Sequence, residues 1–280
     1  MKDSKALRIL SFDIEESYML LEMCDNDEIF DPCSNMEEGM QTLFDLLDKH
    51  NIKSTFFVVG KVAKKHPELI RRLADRYEVG SHSMNHKPIY DMTKEEFRKD
   101  LLNSVNIIED ITGKKVKHYR APGLSIHREQ SFAFEAMAEA GIEIDSSLTN
   151  IKLYSYGHFD AIYQEPFIIN SNGTEIKEYP VISKYMIGYS SGGYFRLLPY
   201  RLIKHITKKS DYIMSYFHLR DFDTQQQTIS SINFIRRFKS YYGERQFLTK
   251  LNTWLNDFSF VDIKTADEQI DWANAPRLYL

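Results

Sequence analysis

Short apolar runs rich in β-branched and aromatic residues alternate with amphipathic helical patterns over the first two thirds of the chain. Residues 8–14 and 54–59 are two such runs, and apolar residues recur at helical spacing between them. A capping box at Thr93 and Glu96 predicts another helix, which Gly113 ends. Strands separated by helices in this way pair in parallel through crossover connections. Because chemistry in such folds collects at the carboxyl ends of the strands, polar residues there are the first candidates for function.

Later segments continue this pattern as far as residue 218, and they predict one barrel-like α/β domain followed by a helical extension. The predicted segments are strands at 78–82, 116–119, 142–145 and 212–218, an irregular stretch at 150–171, an extended one at 175–187, and helices at 229–242 and 244–258.

Charge and composition exclude several classes of function. The chain has 280 residues with 36 basic and 40 acidic side chains, a formal net charge of −4, which argues against a nucleic-acid binder held by a broad basic surface. It contains no run of about 18 apolar residues, so no transmembrane helix is expected. The first residues also lack the apolar stretch of a signal peptide. We therefore expect a cytoplasmic protein in which Cys24 and Cys33 are free thiols, too few for a cysteine-rich zinc site.

Two acids end the first predicted strand. Asp13 and Glu15 share one face of that strand, because side chains alternate, and Ile14 and Glu16 point away. Neighbouring carboxylates repel one another unless a cation or a proton lies between them. Arg120, at the end of the 116–119 strand, could hold Asp13 ionised as a base. A solvated Glu15 beside a helix-capping Asp13, with a surface Arg120, is the alternative.

The clearest local signal is His82-Ser-Met-Asn-His86. Two imidazoles four residues apart can meet one cation if the segment forms a single helical turn. Glu15 or Asp13 as third ligand leaves a position open for water, which is typical of a catalytic site. An exposed histidine pair is the alternative interpretation.

Two further residues end strands, and one serine motif competes with them. His218 could donate a proton to a leaving group, and Asp145 could orient a histidine and raise its pKa; a loop histidine and a helix N-cap are the alternatives. Gly188-Tyr-Ser190-Ser-Gly192 fits the nucleophile elbow of serine hydrolases. His205 lies within a predicted helix, and no acid is well placed to serve His218 in such a triad. We therefore interpret Ser190, Gly192 and Gly193 as a flexible loop and keep a serine hydrolase as an alternative.

The ordered motifs of this chain resemble those of the polysaccharide deacetylases, carbohydrate esterases with the chitooligosaccharide-deacetylase homology domain. A stretch from Gly192 to Pro199 resembles the branch linked to exopolysaccharide gene clusters, as does the C-terminal extension. The resemblance implies a distorted (β/α)7-type barrel over residues 1–225, with a helical extension over residues 226–280 packed on the same domain. The motifs are Ser11-Phe-Asp-Ile-Glu15, Thr55-Phe-Phe-Val-Val-Gly60, Val79-Gly-Ser-His-Ser-Met-Asn-His86, Tyr119-Arg-Ala-Pro122, Asp145-Ser-Ser and Phe217-His218.

By position, the resemblance implies a role for each strand-end residue. Asp13 is similar to the general base, Arg120 to the residue that orients this base, and His218 to the general acid. His82 and His86 correspond to ligands of a divalent metal, usually Zn²⁺, with Co²⁺, Ni²⁺ or Fe²⁺ as other candidates.

The chain departs from the family pattern in two places. Ile14 stands where the common pattern has a second, metal-binding Asp, and Glu15 is the natural substitute. After His218 the near branch has Pro-Trp-Glu, whereas this chain has Leu219-Arg-Asp221. The second difference concerns substrate specificity more than mechanism.

The activity implied by the resemblance is the hydrolysis of N-acetyl groups from an amino sugar of a polysaccharide or its precursor. An N-acetylated sugar is then the expected partner, with no nucleic acid. Three alternatives stay open: a metal-dependent amidase or deformylase acting on another small amide, a serine hydrolase using Ser190, and a non-catalytic glycan-binding relative.

Overall fold

The computed structural model describes residues 6–16, 36–150, 162–184, 188–222 and 242–280. Cys24 and Cys33 lie outside these residues, as does the helix predicted at 229–242 except for its last residue. The strands of the described part are β1 Leu7–Ile14, β2 Thr55–Val58, β3 Glu78–Ser81, β4 His118–Tyr119, β5 Ile144–Asp145, β6 Phe167–Ser171, β7 Thr174–Glu178, β8 Tyr212–His218 and β9 Arg277–Tyr279. Its α-helices are α1 Met36–His50, α2 Gly60–Lys65, α3 Pro67–Arg76, α4 Lys94–Thr112, α5 Phe132–Glu139, α6 Gly192–Leu197, α7 Tyr200–Lys208, α8 Glu244–Asp257 and α9 Ile263–Asp267. None of these helices is long and apolar enough to cross a membrane.

Seven parallel strands form the wall of the fold in the order β8-β1-β2-β3-β4-β5-β7. The hydroxyl of Tyr212 in β8 donates to the carbonyl oxygen of Pro180, just after β7, over 3.0 Å. This hydrogen bond links the two ends of the parallel set. The α/β, barrel-like fold expected from the sequence is therefore confirmed.

Side-chain alternation sorts the strands into an interior and an outer face. On β1, Phe12 belongs to the outer core, where its ring stacks on Phe56 with centroids 5.2 Å apart. Ile9 belongs to a second apolar cluster with Phe57 and Met214, which fills the interior. Because both faces of these strands are covered, apolar residues occupy both faces of β1, β2 and β8.

The helix boundaries follow the sequence signals. Thr93 and Glu96 form the predicted capping box at the start of α4, and Gly113 ends that helix in the left-handed region with φ 67°. Two helices, α2 and α3, follow one another at Gly60–Lys65 and Pro67–Arg76, and Pro67 takes the first position of α3, where its missing N–H costs nothing.

The C-terminal residues close the amino-terminal end of the barrel. Val261 bridges to Ile9, the Ile263 N–H donates to Thr55 Oγ1 over 3.0 Å, and Ala266 reaches the interior cluster. The extension is not helical alone, because β9 joins β6 in parallel. Ile263 and Ala266 of this segment are therefore part of the interior apolar cluster.

One prediction for the middle of the chain is wrong. The sequence predicts an irregular stretch at 150–171, but its last five residues form β6, which pairs antiparallel with β7, and residues 151–161 lie outside the described part of the chain. Asn172 and Gly173 connect the two strands, both with positive φ (51° and 85°). An Asn-Gly pair is the preferred sequence of such two-residue hairpins, so the signal was present in the sequence.

Candidate metal centre and active site

Three predicted ligands meet at the carboxyl end of the strands. Glu15 follows β1 directly, His82 follows β3, and His86 lies four residues further on. One ligand atom from each lies within 4.8 Å of the others. Ile14 packs in the outer core and Glu16 turns outward to Lys65 Nζ, 2.5 Å away. Alternation along β1 therefore delivers Glu15, and neither of its neighbours, to the cluster.

The donor set of this cluster suits a divalent cation. Both carboxylate oxygens of Glu15 are buried and have no hydrogen bond of acceptable geometry among the described residues, although His86 Nε2 lies 2.5 Å from Oε2. His82 Nδ1 lies 2.8 Å from the carbonyl oxygen of Arg120, a contact that leaves Nε2 for the centre. Two imidazoles and one carboxylate are the ligand types that zinc takes in catalytic sites.

Electrostatics keep Glu15 and His82 in the forms that bind a cation. Burial raises the pKa of Glu15, but the charges of His86 and His218 outweigh it and lower that pKa to about 2. Burial lowers the pKa of His82 to about 4, against the opposing charge of Asp13. At neutral pH the carboxylate is therefore ionised and His82 is neutral.

The histidine segment is a loop, so the single helical turn considered from the sequence is wrong. Ser83 and His86 have positive φ values of 65° and 57°. Asp100 of α4 holds the loop, accepting from the Met84 N–H and from Asn85 Nδ2, each over 2.7 Å. Hydrogen bonds to the Asp100 side chain thus take the place of the backbone hydrogen bonds that a helical turn would form. Backbone in this sparsely populated region is typical of functional sites.

Asp13 and Arg120 form a buried ion pair beside the cluster. Arg120 Nη1 donates to Asp13 Oδ1 over 2.8 Å, and the arginine is fully buried. Its remaining donors reach Ser146: Nε to the carbonyl oxygen over 3.2 Å and Nη2 to Oγ over 3.0 Å. The guanidinium also lies over the Phe57 ring, 4.1 Å from its centroid. Arg120 is thus fixed on several sides and orients one oxygen of Asp13.

His218, the last residue of β8, lies beside the metal-ligand cluster. Its Nε2 lies 3.5 Å from Glu15 Oε1, and its Nδ1 lies 3.8 Å from Asp221 Oδ2. Burial lowers the pKa of His218, but the charges of Glu15 and Asp221 outweigh burial and raise it above its ordinary value. The protonated form that a proton donor needs is favoured.

Asp221 is a residue of this site that sequence reasoning missed. Burial raises its pKa, but Arg196 and His218 together lower it to about 2, so Asp221 is ionised. An acid three residues after a strand-end histidine was the available signal.

Asp145 faces away from His218. It is in register with Tyr119 and Glu178, and Tyr119 belongs to the outer core. Burial raises the pKa of Asp145 to about 6 and raises that of Glu178 well above its usual range. The structure places Asp145 in a buried carboxyl pair with Glu178, and the carboxylates that face His218 are Asp221 and Glu15.

Ser190 lies in the barrel wall. It is buried, its Oγ donates to the Met214 carbonyl oxygen over 3.4 Å, and its own carbonyl accepts from the Tyr216 N–H. Of the histidines in the described residues, none is hydrogen-bonded to Ser190. The loop expected here is wrong for Gly192 and Gly193, which form the first turn of α6, whereas Ser190 lies in a turn just before that helix. The geometry of a nucleophile elbow with its triad is not present at Ser190 among the described residues.

Two family models divide most of the chain between them. Residues 29–145 match the polysaccharide deacetylase model, and residues 146–268 match a domain of unknown function, DUF3473. The first match begins after Asp13 and Glu15, and His218 lies within the second. The candidate site therefore draws residues from both matches and from the strand before them.

Curated deacetylases match parts of the chain. The chain is 30% identical over 126 residues to the peptidoglycan-N-acetylmuramic acid deacetylase PdaA of Bacillus subtilis (41% of this chain, 48% of that protein). It is 34% identical over 82 residues to a chitooligosaccharide deacetylase of Sinorhizobium fredii (29% of this chain, 38% of that protein). The chain thus spans less than half the length of each of these relatives.

The solved structures are similar in fold. One, from Mycobacterium smegmatis and described as a polysaccharide deacetylase, has a TM-score of 0.67 at 18% identity, covering 98% of this chain and 93% of that one. A CE4 family pseudoenzyme from Bacillus anthracis has a TM-score of 0.51 at 13% identity, covering 99% of this chain and 68% of that one. Residues 29–145 thus match the polysaccharide deacetylase model, and the chain shares the fold of these solved structures.

Proposed function

We propose that this chain is a metal-dependent hydrolase that removes N-acetyl groups from an amino sugar of a polysaccharide or its precursor. The observation that carries this proposal is the cluster of Glu15, His82 and His86, flanked by Asp13 and His218. The deacetylases among the relatives support the same reaction class. An exopolysaccharide precursor is the substrate class that the sequence resemblance favours.

Glu15, His82 and His86 would hold the metal, with Zn²⁺ the best match to this donor set. When bound, a divalent cation of this kind polarises the amide carbonyl and makes water more acidic. Two imidazoles and one carboxylate leave coordination positions free for water and substrate.

Asp13 is placed to act as the base. Arg120 occupies one of its oxygens at 2.8 Å, which leaves the other for a water molecule. As that water adds its oxygen to the amide carbonyl carbon, its proton passes to Asp13. A guanidinium fixed by Ser146 and Phe57 keeps the carboxylate oriented during the transfer.

His218 supplies the second proton. The carbon–nitrogen bond breaks as the imidazolium gives its proton to the departing amine nitrogen, and acetate and a free amino sugar result. Asp13 and His218 occupy paired positions on adjacent strands, so the base and the acid lie on neighbouring strands at the same rim.

Acetate release by zinc-loaded protein tests the proposal. The substrates are N-acetylchitooligosaccharides, peptidoglycan and a nucleotide-linked N-acetylglucosamine, with a formamide and a cyclic imide as competing small amides. We expect release from at least one sugar, loss with a chelator, recovery with Zn²⁺ or Co²⁺, and no effect of a serine-reactive phosphonate. Full activity in metal-free protein, or turnover of the small amides alone, would contradict it.

A further inference from the structure

The carboxylate of Asp221 is held behind His218 by two hydrogen bonds. Arg196 Nη1 donates to its Oδ1 over 2.7 Å, and the backbone N–H of His218 donates to its Oδ2 over 3.1 Å. The same Oδ2 lies 3.8 Å from Nδ1 of the His218 ring. Arg196 and Asp221 form a buried ion pair, in which 5% of each residue is exposed.

A glycine makes room for this carboxylate. A Cβ atom added at Gly192 would lie 2.3 Å from Asp221 Oδ2 and 3.0 Å from its Cγ, distances that no real side chain could keep. Gly192 and Arg196 are four residues apart on α6, and therefore on one face of that helix. The helix thus presents to Asp221 both a close backbone approach and a cation.

Such an arrangement is poorly explained by stability alone. Removing two charges from water is expensive, and a buried ion pair is often no more stable than apolar residues of the same size. The part of the outer core between α6 and β8 is otherwise rich in aromatic rings. These include Phe195 and Phe217, whose ring centroids lie 5.2 Å apart. An ion pair in this position is better explained by the histidine next to it.

We propose that Asp221 is a positioning residue for His218, fixed in turn by Arg196 and Gly192. The proposal rests on the proposed role of His218 as proton donor. Asp221 lies at the Nδ1 edge of the imidazole, opposite Nε2, which faces Glu15 at 3.5 Å. A ring held in this way keeps Nε2 aimed at the reacting amide. The segment matched by the domain of unknown function then contributes the acid of the reaction together with its support.

A double-mutant cycle separates this role from a structural one. In zinc-loaded, full-length protein assayed on an N-acetylchitooligosaccharide, Asp221→Asn should lower kcat by about 10–100-fold and leave KM within about 2-fold. His218→Ala should lower kcat by about 10²–10⁴-fold. The double variant should be no slower than His218→Ala, because Asp221 acts through that ring. Losses that multiply, or a loss confined to KM, would overturn the proposal.

Two further variants and one control complete the design. Gly192→Ala displaces the carboxylate without removing a functional group and should lower kcat as Asp221→Asn does. Arg196→Lys serves as the test of the ion pair if Asp221→Asn does not fold. Asp257→Asn is the matched control in the same segment, since Asp257 is ion-paired to Lys204 Nζ at 2.7 Å, and it should leave kcat unchanged. A control loss equal to that of Asp221→Asn would overturn the proposal.

Failure of the proposed function is distinguishable from failure of this inference. If wild-type protein releases no acetate from any N-acetyl sugar, the proposed function fails by itself. The inference is then tested by the crystal structure of zinc-loaded Asp221→Asn. A His218 ring rotated away from Glu15 supports the positioning role, and an unchanged ring overturns it.

Discussion

Asp13 and His218 are direct neighbours in the register of two parallel strands. The Cα atoms of the two residues are paired where β1 and β8 run side by side, and both side chains lie on the interior face. Glu15, two residues after Asp13 and just past the end of β1, points to the same side and lies 3.5 Å from His218. The relative positions of the proposed base, acid and metal ligand are therefore set by strand register, which is far more rigid than a loop.

The separate roles of the two acids can be tested by metal content. Glu15→Ala removes one of three ligands and should weaken zinc binding by at least about 10-fold. Asp13→Asn keeps the shape of the side chain and should retain zinc while losing turnover, because the base is gone. Metal analysis after dialysis, together with acetate release, measures both effects.

Glu16→Ala is the matched control for this pair. Glu16 is also buried at the end of β1, but it turns outward to Lys65 and away from the cluster. Its removal should change neither zinc content nor turnover per folded molecule. Zinc lost from Asp13→Asn and kept by Glu15→Ala would reverse the assignment of base and ligand.

Alkaline loss of activity should report on His218. Glu15 and Asp221 outweigh burial and raise the pKa of His218 above its ordinary value of 6.5. The proton is therefore retained as pH rises through 6.5 and is lost only above it, and kcat should fall over that higher range. In Asp221→Asn the falling limb should move to lower pH. A limb that does not move would mean that another group controls it.

The buried carboxyl pair of Asp145 and Glu178 predicts an unequal response to two substitutions. Burial and the Asp145 charge raise the pKa of Glu178 well above its usual range, so folding favours the neutral form of this acid. Glu178→Gln copies the neutral acid and should change the free energy of unfolding by less than about 1 kcal/mol. Glu178→Ala leaves the Leu148 N–H without its acceptor and creates a cavity, and should cost about 2–4 kcal/mol in urea unfolding.

The same pair predicts a pH dependence of stability. The folded-state pKa of Asp145 is raised from 3.8 to about 6, so folding favours the protonated form. Its contribution is present in full below 3.8 and is lost as pH rises through about 6. In Asp145→Asn this part of the decline should disappear from unfolding curves recorded across that range. An unchanged decline would assign it to other groups.

Strand ends and alternation account for what the sequence predicted well. Asp13, Glu15, Arg120 and His218 each end or follow an apolar run, and parallel strands bring such positions to one rim. Asp145 shows the limit of that rule. Its place at a strand end predicts that it lies at the carboxyl end of the barrel, but not whether its side chain faces the interior or the outer core. The register with Tyr119 places Asp145 outward, and that register depends on tertiary pairing.

Asp221 could not be identified in the same way. Its position beside His218 requires the short helical turn at Leu219–Phe222 and the approach of α6, whose Arg196 lies 25 residues earlier in the chain. Neither is encoded in a local pattern of apolar residues. The hairpin at Asn172 and Gly173, in contrast, has a local sequence signal, because an Asn-Gly pair favours a two-residue turn with positive φ at both positions.

The dependence on the leaving group gives the most direct test of His218. Nε2 of this residue lies at the rim beside Glu15, where it can reach the nitrogen of a bound amide. An amine departs only after it gains a proton, so His218→Ala should lower kcat on an N-acetyl sugar by about 10²–10⁴-fold. An activated aryl acetate releases a stable phenolate and needs little protonation, so the loss on 4-nitrophenyl acetate should be much smaller. Zinc content should be unchanged, since His218 is not among the three clustered ligands. Equal losses on both substrates would instead mean that His218 positions the substrate or the metal.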